Sequence, residues 1–175
     1  MENGVSTQLD EPQRFEVAPL QEGALEGASD KETTNFRIAY QMFQQDLKAT
    51  GTALGKQKKM VDAMQRAFNK APQQNETLRK DLYEAEVQLQ LLDKRLHGDP
   101  LKKEIGEKSD LTPSNGLVAG SALAGTYGPT ENLTGAMERA QKQLDIIKED
   151  LRKITKETIP ALGKALNKAG APWIE

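Results

Sequence analysis

A heptad seam constrains this chain more than any other feature. Between Thr130 and Ala169 the seam positions are Leu133, Met137, Ala140, Leu144, Ile147, Leu151, Ile154, Thr158, Ala161 and Ala165. The steps alternate four and three, the spacing of a helix laid against other helices. A second seam runs Phe36, Tyr40, Phe43, Leu47, Thr50 or Gly51, Leu54, Val61, Met64 and Phe68. A third runs Leu78, Leu82, Ala85, Leu89, Leu92 and Leu96. Three such stretches in 175 residues predict an all-α fold with one core. Aromatic residues at 5% are too few for a sheet sandwich, and charged residues at 29% suit solvated helices.

The ends of the helices are written in cap and turn chemistry. Ser29-Asp30-Lys31-Glu32 has the spacing of a capping box and starts the first helix. Gly51, Gly55 and the polar pair Gln57-Lys58 interrupt its seam, and a weakening or bend within a continuous helix is expected there. Ala71-Pro72 ends it. Asn75 caps the second helix, and the short link makes the two an antiparallel hairpin. His97-Gly98 closes it.

Asp99 to Ser114 reads as an irregular crossover, and Thr112-Pro113 as an N-cap before a short buried helix over Gly116 to Ala124. Tyr127-Gly128-Pro129 is a turn, and Thr130 caps the third long helix. Pro160 lies inside that helix and predicts a kink near Thr155 to Thr158. Gly170 ends it, Pro172 prevents a restart, and Trp173 is expected to fold back on the bundle end.

Residues 1–30 lack a helical period. Arg14 to Val17 alternates polar and apolar and reads as one short strand, with Phe15 and Val17 on one face. The expected architecture is therefore an antiparallel bundle of three long helices plus one short helix over 31–175. An N-terminal extended arm, or the remnant of an upstream β domain, occupies 1–30.

Charge and composition exclude several function classes. A formal net charge of −2 gives no electrostatic reason to bind nucleic acid or an anionic membrane. With no cysteine there are no disulfides and no thiolate metal sites. No signal peptide is legible at the N-terminus. The longest apolar run, near Gly116 to Gly125, is about half a membrane span, so no span is expected.

Candidate chemistry is sparse. His97 is the only histidine, and any triad or histidine metal site would be built on it; its Gly-Asp-Pro sequel favours a helix C-cap instead. Asp145 with Glu149, and Glu84 with Glu86, are carboxylate pairs of the kind a glycosidase uses. The first pair has Lys148 and Lys153 at surface-pair spacing, so solvated faces are expected. No Glu-x-x-His occurs, which excludes the di-iron bundle pattern. The glycine-rich stretch Gly116 to Gly128 lacks the phosphate-loop pattern and is expected to serve close packing. Asn75-Glu76-Thr77 and Asn132-Leu133-Thr134 match the glycosylation pattern at positions that capping explains equally well. Lys56, Lys58 and Lys59 form a small basic cluster that reads as a solvated face. No catalytic, cofactor-binding or metal-binding residue is assigned.

Several stretches, read in order, resemble a known family. Phe15 to Leu20 is followed by Leu96-His97-Gly98-Asp99-Pro100, Thr112-Pro113-Ser114 and Tyr127-Gly128-Pro129-Thr130. Ile159-Pro160-Ala161-Leu162 and Ala169-Gly170-Ala171-Pro172-Trp173 complete the set. Together they resemble the C-terminal region of bacterial BNR-repeat, or sortilin-type, β-propeller proteins, described as glycosyl hydrolase-like or sialidase-like. The resemblance implies a piece of a longer secreted or periplasmic protein, with the upstream propeller as partner and any hydrolase activity in that propeller. It transfers no catalytic residue, and the Asp-box pattern of the repeats is absent. The expected function is a non-catalytic helical structural or interaction module. Two alternatives stand beside it: a self-associating coiled-coil module, and an accessory region in which a helix end or the Gly98 to Pro113 loop covers an upstream catalytic cleft.

Overall fold

The computed structural model describes residues 11, 13–16, 27–108, 110–117 and 127–172. Its elements are α1 (Asp30–Asn69), α2 (Glu76–His97), a short α3 (Pro100–Glu104), α4 (Glu131–Lys153), a π-helical turn (Ile154–Thr158) and α5 (Ile159–Lys168). The fold is all-α, with no strand among the described residues.

Caps fix the helix starts. At Ser29 both halves of the capping box form: Ser29 Oγ accepts from Glu32 N–H, and the Glu32 carboxylate accepts from Ser29 N–H at 2.8 Å. Asn75 Oδ1 accepts from Leu78 N–H at 2.7 Å, and Thr130 Oγ1 accepts from Leu133 N–H at 3.3 Å. The C-terminal end of α5 is a Schellman turn, with Gly170 at φ +70° and Ala171 N–H donating back to Leu166 C=O.

The seams meet in one buried cluster. Phe43, Leu54, Val61, Met64 and Phe68 of α1 pack with all six seam residues of α2 and with Ala140, Leu144, Ile147 and Leu151 of α4. Thr50, not Gly51, takes the ambiguous position in α1. Despite Gly51, Gly55 and Gln57-Lys58, α1 is continuous.

Side-chain pairs give the helix directions. Lys58–Asp93 and Gln65–Glu86 make α1 and α2 antiparallel. Lys148–Asp46, and Gly163 beside Met64, make the third helix parallel to α1. Because α2 ends opposite Gly51, the first half of α1 and the start of α4 extend past it. They are joined at the far end by Ala28 N–H donating to Tyr127 C=O at 2.9 Å.

Four expectations are corrected. The seam after the π turn runs through Leu162 and Leu166, while Ala161 is exposed and Ala165 only half-buried. A π turn spends one extra residue, so it advances the buried face by one position. The same turn accommodates Pro160, which sits just beyond it and has no N–H to donate.

The crossover read as irregular contains α3, capped by Asp99 Oδ1 accepting from Leu101 N–H at 3.0 Å with Pro100 in the first turn. Thr112 is no helix cap. Its N–H donates to Asn115 Oδ1 at 2.7 Å, its carbonyl accepts from Gly116 N–H at 2.7 Å, and its hydroxyl is buried without a partner among the described residues. This turn closes the end of α2, since Ser114 N–H donates to Leu96 C=O at 3.2 Å. The strand expected at Arg14–Val17 does not form over residues 13–16, and Phe15 is 83% exposed. A single extended segment has no neighbour to complete its hydrogen bonds. Val17, Trp173 and the expected short helix, apart from Gly116 and Leu117, lie outside the described residues.

Candidate functional site

The best-developed cluster of titratable groups lies where α2 ends against the middle of α1. His97 stands in the last turn of α2, one turn after Asp93, and its Nδ1 lies 2.7 Å from Asp93 Oδ1. The other oxygen of Asp93 accepts from Lys58 Nζ of α1 at 2.5 Å. The imidazole edge holding Nε2 faces α1 at Gly51, where a Cβ would sit 3.4 Å from Nε2. A Cβ at Gly51 would touch the ring, whereas glycine leaves that edge clear. An open groove of about 840 Å³ runs beside the cluster, lined by Lys58, Asp93, His97, Gly98, Lys103 and Asn115 among others.

Burial pushes the Asp93 carboxyl up, but hydrogen bonds from Lys58 and His97, with their charges, outweigh it and hold it below the ordinary 3.8. Asp99, held by Lys94 at 2.9 Å and by Leu101 N–H, is likewise below the usual carboxylate range. Both are ionised at neutral pH and serve as acceptors.

A histidine–carboxylate pair is two-thirds of a nucleophilic triad. Ser114 lines a neighbouring groove with His97, but no hydrogen bond joins its hydroxyl to the imidazole. Among the described residues no group of three His, Asp or Glu is placed to hold a metal ion.

The other sequence candidates are engaged structurally. Glu149 receives two bonds from Arg152, at 2.9 and 2.7 Å, rather than pairing with Lys153. Lys148 reaches across to Asp46 at 2.6 Å instead of pairing with Asp145, which accepts from Gln141 at 3.0 Å. Glu84 pairs with Lys80, while Glu86 accepts from Gln65 and Gln90. The two residues of that pair therefore serve different neighbours. The basic cluster divides too: Lys58 turns to Asp93, and Lys56 and Lys59 are exposed. The Asn75 amide oxygen is the α2 cap, and Asn132 is exposed in the first turn of α4.

Asp93 was not singled out by the sequence, although its spacing of four from His97 was the available signal. Among the described residues no helix is long and apolar enough to cross a membrane. No protein-family model, curated protein or solved structure matches the chain.

Proposed function

We propose that this chain is a non-catalytic helical module that works as a structural and interaction element of a longer protein. The observation that supports it most is the use made of His97. The one side chain on which nucleophilic or metal chemistry would be built binds Asp93, and through it Lys58, and seats the end of α2 over Gly51. It acts as a joint between helices. By the resemblance of its turn motifs, the parent is a secreted bacterial β-propeller protein of the BNR-repeat or sortilin type. The propeller would then be the upstream neighbour, and hydrolysis would belong to it.

The test is turnover by the isolated chain against chromogenic glycosides, including sialosides. No hydrolysis above buffer is expected at any pH. Hydrolysis that scales with protein and vanishes in His97→Gln would overturn the reading.

A further inference from the structure

The turn that closes the end of α2 is built on a chemically reactive pair, Asn115-Gly116. Asparagine is thermolabile, and most so before glycine, whose missing side chain leaves the following backbone nitrogen free to approach the carboxamide. The turn requires both residues. Asn115 Oδ1 accepts from Thr112 N–H at 2.7 Å, and Asn115 Nδ2 donates to Asp110 C=O at 3.1 Å. Only a carboxamide offers an acceptor and a donor side by side at that reach. A Cβ at position 116 would sit 2.8 Å from the carbonyl oxygen of Thr112, so any side chain there forces backbone apart.

We propose that Asn115 is a site of spontaneous deamidation that the folded turn holds off. In the reaction the Gly116 nitrogen gives up its proton and bonds to Asn115 Cγ. The Cγ–Nδ2 bond breaks, ammonia leaves, and a succinimide closes. Water then opens the ring at one of its two carbonyls, giving aspartate or isoaspartate. Water is the only co-reactant, and Asn115 is exposed to it. In the folded chain both reacting groups are engaged. Gly116 N–H is held by Thr112 C=O at 2.7 Å, and the carboxamide is held at both ends. The nitrogen must lose its bonded proton and the carboxamide must turn before attack, so local opening of the turn gates the reaction.

Conversion loosens what the turn secures. Aspartate has no donor for Asp110 C=O, and isoaspartate adds a main-chain carbon that draws Gly116 N–H off Thr112. The same turn carries Ser114 N–H to Leu96 C=O at 3.2 Å, so the end of α2 loses closure.

The test is to incubate the full chain in mildly alkaline buffer, with and without denaturing urea. Peptide mapping by mass spectrometry then follows position 115 apart from the other Asn-Gly pair, Asn3-Gly4. Aspartate and isoaspartate should accumulate at 115 in urea, and roughly tenfold or more slowly in the folded chain. Gly116→Ala should slow the reaction in urea. An unchanged Asn115 in urea would overturn the site. Equal rates with and without urea would overturn its protection, and a Gly116→Ala chain reacting like wild type would overturn attack by the backbone nitrogen. Asn115→Asp, which makes one product directly, should melt below wild type; an equal melting temperature would overturn the effect on α2.

Discussion

Gly51 and Gly55 stand four residues apart on α1 and serve different ends. A Cβ at Gly51 would touch the imidazole of His97 at 3.4 Å, while a Cβ at Gly55 would meet nothing within 4 Å. Both weaken the helix by their backbone freedom, and only one lies against a neighbouring side chain. Gly55→Ala should therefore raise stability by about 0.5–1 kcal/mol in a denaturant titration. Gly51→Ala should gain less, because its Cβ would sit at the near edge of ordinary contact with the ring, 3.4 Å from Nε2. The sequence marks both residues as interruptions of the seam. It does not separate them, because the difference depends on a side chain 46 positions away in sequence, on another helix.

At the scale of the elements, caps and seams were legible because they are local. Ser29, Asn75, Thr130 and Gly170 act within four residues of themselves, and all four mark helix ends where expected. The seam of α2 was legible to the residue for the same reason. The seam after Ile154 was not. A four–three count assumes α-helical turns throughout, and the π turn breaks the count without leaving a signature except Pro160. The consequence is measurable. Leu162→Ala should cost about 2–5 kcal/mol, as for a buried leucine, and Ala161→Gln should stay within about 0.5 kcal/mol. The opposite ranking, read from urea midpoints, would restore the uninterrupted heptad. Asp99-Pro100 was a helix start hidden as a turn, since the same two residues write both.

Over the whole molecule, the order and direction of the three long helices were legible, and the joint that locks the end of α2 was not. That joint depends on Asp93, Lys58 and Gly51 converging on His97 from two helices. The expected arm strand failed at this scale as well, for want of a neighbouring strand within the described residues. The joint also has a pH signature. Asp93 is held below its ordinary 3.8, so its contribution is in full force above that value and is lost as pH falls through the lower folded value. Asp93→Asn should flatten the acid-side loss of stability.

The most direct measurement is a double-mutant cycle on unfolding free energy at neutral pH, using Asp93→Asn, His97→Gln and the double variant. If His97 is a structural joint, each single variant destabilises. The pair should then couple by about 0.2–1 kcal/mol, the range for partly exposed polar pairs. Zero coupling, with His97→Gln as stable as the wild type, would contradict the account and leave the histidine free for chemistry.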